Sequence, residues 1–497
     1  MTAGVALAVY LVLLALAALA VWRRPIAALY LWIVGVALHN SLGAALYGAG
    51  VRGSVLTAIQ AWKEILLAAA LVRVGFDAMG ARRLPFRPRL VDALALAYGV
   101  LVCVYAVIPQ HVLGGAADSH AVGLALKHNL VPVAAYFLGR SVVLGREQLA
   151  PIAWTLIASA ALVAAWGLID DYVISISWWR QSAVVPYFHK HLGYDYHGTG
   201  GLPENFIYNT GSEDHFLRRL VSVFLSPLAT AYMLTVALVL AAALWRRTRV
   251  LAALCVVVAA GLLFTFSRSS LIALAAGLLV FAFVARLRWP VLAAAVTIGV
   301  FVGWAHAFPH VAPQGHWTQQ DLRLQRQIAK KNPTASGSAL STSEPSLHEH
   351  WRSLVDGART VVHHPQGYGL GNAGQTASRT RTPIKAGESN YTEMGAEMGI
   401  LGSILWTVWI VALLVALVCA ARRTGWWAAV GISAAFAAAA VLAIQTDVIG
   451  DPWMGYVLWM LAGIAVAPPP LRAHDEPAVD VVAERPVRRV AVVRVER

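Results

Sequence analysis

The sequence predicts an all-α protein, a polytopic membrane bundle of about 12–13 helical spans with a large extracytoplasmic loop domain. Hydrophobic residues make up 59% of the 497 residues and charged residues only 13%, whereas soluble proteins carry about 25% charged residues. Mean hydropathy is +0.64, and apolar runs of about 20 residues, enough to cross a bilayer core of about 30 Å, recur along the chain. Basic residues cluster between these runs. This pattern excludes a soluble enzyme, a disordered chain and a disulfide scaffold, and continuous apolar runs exclude an outer-membrane barrel.

The apolar runs predict thirteen spans, in chain order. They lie near residues 4–22, 26–47, 55–72, 91–109, 121–139, 150–169, 223–244, 250–266, 269–285, 290–308, 393–420, 426–446 and 453–468. The first run has no basic region before it, and Arg23 and Arg24 follow it. It is therefore interpreted as a membrane span and not as a cleavable export signal.

Arginine clusters follow only the odd-numbered spans. They comprise Arg23 and Arg24; Arg73, Arg82, Arg83, Arg87 and Arg89; Arg140 and Arg146; Arg246, Arg247 and Arg249; Arg286 and Arg288; and Arg422 and Arg423. The positive-inside rule predicts that these connections face the cytoplasm. We therefore attribute the net charge of +14 to topology and not to nucleic-acid binding.

The span positions divide the chain into six segments. These are N-terminal membrane helices (1–169), a first extracytoplasmic loop (170–222), central membrane helices (223–308), a large extracytoplasmic catalytic loop (309–391), C-terminal membrane helices (392–468) and a cytoplasmic tail expected to be disordered (469–497). Within the large loop, the polar stretch 330–345 is expected to be mobile. The helical periodicity of residues 346–362 predicts an amphipathic helix.

Several charged residues lie in or beside the predicted spans. Lys63 and Glu64, inside the third span, are interpreted as an internal charge pair, with a substrate-facing role as the alternative. Glu393 and Glu397 share one face of a helix and are expected in a solvated first turn. Asp447 and Asp451 are expected in a solvated turn before the last span.

Three arginines lie on the side where the charge rule predicts few. Arg268 stands between two apolar runs among serines and threonine, next to Ser267, and Arg218 and Arg219 end the first long loop. Guanidinium matches phosphate with a bidentate fork, so two arginines from separate loops could hold a pyrophosphate. The alternative is that these arginines contact lipid headgroups at the membrane surface.

The second long loop contains two further candidate elements. The first is a glycine-rich segment that includes His364, Gly367 and Gly369, where glycine permits a tight turn or a close approach to a ligand. As a phosphate motif it is weak, and its adjacent histidines lack ligand partners, so no metal site is predicted. The second is Glu388, followed by Ser389 and Tyr391. Glu388 can take a proton from an attacking sugar hydroxyl, or it can cap the following helix.

These elements, in this order, resemble the O-antigen ligase/polymerase superfamily of bacterial envelope enzymes over roughly residues 55–465. The matching positions are Arg219, Phe224 and Pro227; Ser267 and Arg268; and Pro365, Gly367 and Gly369. In the ligases a histidine stands where the register of Gly399 and Gly402 places Glu388 in this chain. This difference is closer to the polysaccharide polymerases of the family.

The resemblance implies a GT-C-like, metal- and cofactor-independent, inverting glycosyltransferase of the bacterial cytoplasmic (inner) membrane whose active site faces the periplasm or cell exterior. The donor is a glycan on undecaprenyl pyrophosphate, and the acceptor is a glycan that is lipid-linked or part of lipid A core. Arg219 and Arg268 would hold the pyrophosphate, and Glu388 would be the base. The further substrate-binding candidates are Arg218, Ser267, His364, Gly367, Gly369, Ser389 and Tyr391.

A polymerase of lipid-linked repeat units is the leading hypothesis, and a ligase that moves glycan to lipid A core or protein is the closest alternative. A transporter or flippase is a hypothesis of another class, but the chain shows no internal repeat of the kind that transporters often carry. A scaffold protein would leave Arg268 and the glycine-rich segment without a role.

Overall fold

The computed structural model describes residues 3–142, 144–194, 201–209, 214–244, 248–331, 345–387, 389–448 and 450–466. Its α-helices are α1 (Ala3–Arg23), α2 (Ala27–Gly35), α3 (His39–Gly48), α4 (Gly53–Gln60), α5 (Trp62–Ala81), α6 (Leu90–Val107), α7 (Ser119–Ser141), α8 (Leu149–Val173), α9 (Ile176–Gln181), α10 (Val184–Pro186), α11 (Pro227–Leu244), α12 (Arg249–Phe264), α13 (Arg268–Ala285), α14 (Trp289–Val311), α15 (Gln319–Lys331), α16 (Pro345–His363), α17 (Gly374–Thr380), α18 (Asn390–Thr424), α19 (Trp427–Leu442) and α20 (Trp459–Val466). Short 3₁₀ segments cover Gln110–Leu113, Arg146–Gln148, Glu204–Phe206 and Ser222–Phe224, and π-helical turns cover Tyr187–His191 and Met454–Leu458.

The predicted all-α polytopic membrane bundle is confirmed. Within the described residues, eight helices are long and apolar enough to cross a membrane, and two bent pairs, α2 with α3 and α4 with α5, raise the number to ten. Three shorter apolar helices, Arg249–Phe264, Trp427–Leu442 and Met454–Val466, match the remaining predicted spans. Helices that are apolar on every face suit either lipid or a packed interior. Accordingly α1 is largely exposed at the edge of the bundle, while α11 and α19 are buried at its centre.

Three of the spanning elements are broken. The bend between α2 and α3 is 59°, and the bend between α4 and α5 is 43°. Inside α18 the backbone leaves the helical region at Met398 and Gly399, and Gly399 has a φ of +69°. Breaks of this kind free main-chain groups that other parts of the protein must satisfy. All three breaks lie near polar side chains discussed below.

A small antiparallel sheet joins the two long loops, and sequence analysis did not predict it. Its strands are β1 (Ile207–Tyr208), β2 (His215–Arg218) and β3 (Gln314–His316) in that order, with Phe216 opposite Gly315. Because β2 follows α8 and β3 follows α14, both loops lie on one side of the bundle. We call this side the loop side. It also carries the turns after α12 and α19.

Arginines from three of the predicted clusters lie on the opposite side, where they contact helix ends. Arg73 Nε donates to the carbonyl of Trp22, Arg89 Nη1 to that of Val466, and Arg422 Nη2 to that of Phe283, over 3.0, 2.9 and 2.9 Å. For these arginines, the helix order agrees with the predicted alternation of arginine clusters between the two sides.

The predicted amphipathic helix of the second long loop is confirmed as α16. It packs closely on the first turns of α18, where a Cβ at Gly357 would lie 2.7 Å from Thr392 Oγ1. The helix α15 before it was not predicted. The stretch 332–344, which holds most of the segment expected to be mobile, and the tail 469–497 lie outside the described residues.

Candidate active site

The segment after β2 brings Arg219 to the loop-side end of α12. The main-chain N–H of Leu220 donates to the carbonyl of Phe264 over 3.0 Å, and Arg219 Nε donates to the carbonyl of Thr265 over 2.9 Å. Ser222 and Leu225 have φ values of +49° and +55°, a region that non-glycine residues rarely adopt. We call residues 219–226 the strap, and its tight backbone holds Arg219 against the turn that precedes Arg268.

The turn between α12 and α13 is strained and densely hydrogen-bonded. Phe266 has a φ of +48° and stacks face to face on Phe308 with the ring centroids 4.1 Å apart. Ser267 is buried and its Oγ lies 2.8 Å from Ser270 Oγ. Arg268 then begins α13 and is half-buried. A helix N-terminus attracts anions, so we expect the end of α13 that carries Arg268, beside the bond from Arg219 to Thr265, to suit phosphate.

Arg218 has a different environment from Arg219, its neighbour in the chain. Its side chain is buried and contacts the carboxylates of Asp170 and Asp171 over 3.7 and 3.4 Å, and it donates to the carbonyl of Ile174. Two carboxylates at the end of α8 therefore neutralise Arg218. The sequence did not predict this pairing, because Asp170 and Asp171 lie 48 and 47 positions before Arg218 in the chain.

The glycine-rich segment packs on the break in α18. The N–H groups of Tyr368 and Gly369 donate to the carbonyls of Ala396 and Glu397 over 2.7 and 2.9 Å, and the N–H of Ile400 donates to the carbonyl of Pro365 over 2.9 Å. These bonds satisfy groups that the break in the helix frees.

The predicted glycines allow this close approach. Gly367 has a φ of +76° and Gly369 of +90°, and a Cβ at Gly369 would overlap the amide of Gln110. His364 stacks on Tyr368 with centroids 3.8 Å apart, and its Nε2 lies 2.8 Å from the Leu113 carbonyl oxygen. The segment therefore fastens the second long loop to α18 and to the turn after α6.

The carboxylates of α18 are buried in a polar cluster, so the expected solvated turn at Glu393 and Glu397 is wrong. Glu393 is 2% exposed and Glu397 is 1% exposed. Glu397 Oε1 accepts from the N–H of Gly371 over 2.7 Å, and Asn390 Nδ2 donates to Glu393 Oε2 over 3.2 Å. The periodic pattern placed both acids on one face correctly, but it could not show that loop 364–373 covers that face.

Asp447 belongs to the same cluster, and its expected solvated position is also wrong. It is buried, and its Oδ1 lies 3.3 Å from His128 Nε2 and accepts from Asn390 Nδ2 over 2.8 Å. Burial opposes ionisation, but His128 and the hydrogen bonds from Asn390 and Gly450 outweigh it, so the pKa of Asp447 lies below its ordinary value. Sequence analysis did not single out His128, a lone histidine inside an apolar span.

Asp451, in the same turn, is half-buried and accepts at Oδ1 from the N–H of Met454 over 3.0 Å. Burial, together with the charge of Asp447, raises the pKa of Asp451 to about 7. Asp451 therefore caps the last spanning segment from a partly enclosed position.

Among the described residues, His128, Glu393 and Asp447 also form a group with the geometry of a cation site. Each offers one ligand atom, and these atoms lie within 4.8 Å of one another. Imidazole and carboxylate donors suit several divalent ions. Hydrogen bonds from Asn390 and Gly450 already engage Asp447 Oδ1.

The residues around the predicted base are bound to the end of α19. Ser389 Oγ donates to the carbonyl of Ala443 over 3.3 Å, and Tyr391 Oη donates to that of Ala440 over 3.1 Å. Glu388 itself lies outside the described residues. Its neighbours in the chain, Gly387 and Ser389, lie on the loop side, where Arg219 and Arg268 also lie.

One comparison with known proteins gives a match. Residues 253–407 match the family model described as O-antigen ligase, and this range runs from α12 into α18, so it includes Arg268 and the glycine-rich segment. The resemblance stated from the motifs is thereby confirmed for this part of the chain. Arg219 precedes the matched range. No match to a curated protein was found.

Proposed function

We propose that this multi-pass membrane protein is a glycosyltransferase that polymerises undecaprenyl-pyrophosphate-linked glycan repeat units at the outer face of the bacterial cytoplasmic membrane. The matched domain supports an activity of the O-antigen ligase and polymerase type. The observation that carries the proposal is the hydrogen bond from Arg219 Nε to the carbonyl of Thr265, three residues before Arg268. It ties Arg219 to the turn that leads into Arg268 and the N-terminus of α13, which supports the binding of a pyrophosphate there.

In the proposed reaction, a hydroxyl oxygen of the acceptor sugar attacks the anomeric carbon of the donor glycan. The bond from that carbon to the pyrophosphate oxygen breaks, and undecaprenyl pyrophosphate leaves with the bonding electrons. Arg219 and Arg268 stabilise the negative charge on the leaving group. The carboxylate of Glu388 takes the hydroxyl proton. Attack from the face opposite the leaving group inverts the anomeric configuration.

The remaining predicted residues have supporting roles in this proposal. Ser267 shapes the turn before Arg268, Ser389 and Tyr391 position the chain around Glu388, and His364, Gly367 and Gly369 hold the second long loop on α18. Arg218 supports the strap through Asp170 and Asp171.

The test uses the purified full-length protein with lipid-pyrophosphate-linked repeat units and no other acceptor. A ladder of products on a gel is expected from the wild type and not from the Arg268→Ala or Glu388→Gln variant. Arg359→Gln is the matched control, because Arg359 is exposed on α16 and pairs only with Asp356 among the ion pairs of the described residues. Absence of a ladder with the correct repeat unit contradicts polymerisation. Transfer to added lipid A core would then indicate a ligase.

Two further arms test for transport and for a metal requirement. Substrate accumulation in sealed vesicles without new glycosidic bonds would indicate a transporter. EDTA is expected to leave the transfer rate unchanged, because the proposed mechanism uses no metal. Loss of activity that a divalent ion restores would contradict this and direct attention to His128, Glu393 and Asp447.

A further inference from the structure

A second group of basic side chains lies on the loop side, outside the predicted site. It consists of Lys63 on α5, Lys127 on α7 and Arg379 on α17. Glu64 Oε1 lies 3.4 Å from Lys63 Nζ and 3.3 Å from Lys127 Nζ, so the predicted internal pair of Lys63 and Glu64 is confirmed and enlarged. Arg379 Nε donates to the carbonyl of Leu192 over 3.3 Å, next to His191, whose Nε2 lies 2.8 Å from Gln60 Oε1 at the end of α4. We call these four residues the basic chamber.

The basic chamber has more positive than negative charge. Lys63 and Lys127 share the carboxylate of Glu64, and with Arg379 the four residues have a formal charge of 3 − 1 = +2. Asp447, which also faces this region, is paired with His128. Lys63, which is only 6% exposed, pairs with Glu64, so excess positive charge remains beside a membrane span, where it is costly. A bound anion would supply the missing negative charge.

The break in each bent helix pair lies at the basic chamber. Lys63 Nζ donates over 3.0 Å to the carbonyl of Gln60, which the break between α4 and α5 frees, and it lies 3.3 Å from Nε2 of His39 at the start of α3. Trp62 Nε1 lies 3.3 Å from the other ring nitrogen of His39. Discontinuous helices near the middle of a bundle commonly build binding sites.

Polar side chains surround the break between α4 and α5, and one cation of the chamber is accessible. Gln60 bridges Tyr187 and His191, with Nε2 donating over 2.6 Å and Oε1 lying 2.8 Å from His191 Nε2. The guanidinium of Arg379 lies 5.6 Å from the ring centre of Tyr194. The Lys127 side chain is 47% exposed. A charged headgroup can therefore reach Lys127.

Helix α3 connects the chamber to the strap. Asn40, next to His39, donates from Nδ2 to the carbonyl of Phe224 over 3.2 Å, and Ser41 Oγ donates to the carbonyl of Val223. The strap also carries Arg219. The chamber is thus a second basic site, which α3 links to the strap and which is built from other elements than the proposed donor site.

We propose that Lys63, Lys127 and Arg379 bind the diphosphate of the acceptor, a second polyprenyl-linked glycan, while Arg219 and Arg268 bind the diphosphate of the donor. This inference rests on the proposed function, because a polymerase joins two substrates that both carry a lipid diphosphate. An acceptor that lacks a diphosphate would not bind to the chamber in this way. The chamber would thereby select the acceptor class.

The test measures binding of inorganic pyrophosphate to the full-length protein in phosphatidylcholine nanodiscs, by calorimetry at low salt with EDTA. Two sites per chain are expected. The Lys127→Gln/Arg379→Gln variant should lose one site and keep the other, and Arg219→Gln/Arg268→Gln should show the reverse. Each lost charge-assisted hydrogen bond should weaken binding at its site by about tenfold or more. Arg359→Gln, the exposed control, should keep both sites.

A single site in the wild type, or two sites in Lys127→Gln/Arg379→Gln, overturns the inference. If phosphatidylglycerol nanodiscs abolish pyrophosphate binding at the chamber, the chamber holds lipid headgroups and the inference is also overturned. Both variants replace side chains that are at least partly exposed, and Lys63 is left intact, so folding is preserved. The assay needs no glycan transfer. If the chamber binds pyrophosphate but the protein shows no polymerase activity, the proposed function is contradicted. The second pyrophosphate site would still stand.

Discussion

Arg219 Nε donates a 2.9 Å hydrogen bond to the main-chain carbonyl of Thr265. This bond joins a residue at the end of the first long loop to the turn that begins α13. The two positions are 46 residues apart in the chain, and Phe266 at the centre of the turn is held in a left-handed conformation by stacking on Phe308. The arginine pair therefore depends on the relative position of α8, α12 and α14.

Replacing Arg219 with lysine is expected to lower the transfer rate by about 10²–10³-fold, the usual cost of losing one donor to a developing charge. Lysine presents a single ammonium group, which cannot bond Thr265 and also offer a fork to phosphate. Initial rates with lipid-linked repeat units measure the effect, and Arg359→Lys is the control. A rate within about twofold of wild type would show that Arg219 only anchors the strap.

Gly399→Ala is expected to destabilise the protein more than Gly425→Ala. Both glycines have positive φ, +69° and +60°, so each substitution carries a conformational cost, about 1–2 kcal/mol at Gly425 in the left-handed region and more at Gly399, whose ψ is −172°. Only at Gly399 would the new Cβ overlap the carbonyl of Pro365, whereas nothing lies within 4 Å at Gly425. Thermal unfolding in detergent compares the two variants. Equal losses would contradict tight packing of the glycine-rich segment on α18.

The wild-type protein is expected to lose stability as the pH rises from mildly acidic to alkaline. Asp451→Asn is expected to make this loss smaller. Burial raises the pKa of Asp451 to about 7, above the ordinary 3.8. The stability that this shift contributes is present below the unfolded pKa and disappears as the pH rises through about 7. Asparagine keeps an oxygen for the Met454 N–H and does not titrate.

The measurement for Asp451 is the difference in melting temperature between pH 5 and pH 8, compared with wild type. Asp356→Asn is the control, because the Asp356 side chain is 53% exposed on α16. An unchanged difference in Asp451→Asn would show that the carboxyl is ionised throughout this range.

Arg218→Met is expected to cost about 3–5 kcal/mol of stability, because it leaves the buried carboxylates of Asp170 and Asp171 without their cation. The triple variant with Asp170→Asn and Asp171→Asn should recover most of this loss. Thermal unfolding and transfer rate are measured together. A stable triple variant without activity would show that Arg218 contacts substrate.

Much of the fold follows from local sequence. Each of the thirteen predicted spans corresponds to an apolar helix or a bent pair in the described residues, because about 20 apolar residues satisfy their own hydrogen bonds only as a helix in lipid. The amphipathic helix α16 follows from periodicity in the same way. The ordered motifs identified Arg268 and the glycine-rich segment within the range that the family comparison matches.

Other features depend on partners far apart in the sequence. The sheet has strands of two to four residues, too short for a periodic signal. Glu393, Glu397 and Asp447 were expected in solvent because acidic residues at a helix start or in a turn usually lie there, yet the glycine-rich loop and α7 cover them.

The sequence by itself determined that this chain is a helical membrane bundle and that its arginines and acids collect at the ends of spans, since hydrophobicity and helix length act within a single segment. Only the tertiary structure decided which charges meet. Arg218 pairs with α8, Arg219 reaches the turn before α13, and Lys63 and Lys127 share Glu64. The energy of a buried charge depends on the groups around it, and in a bundle those groups come from helices that are distant in the chain.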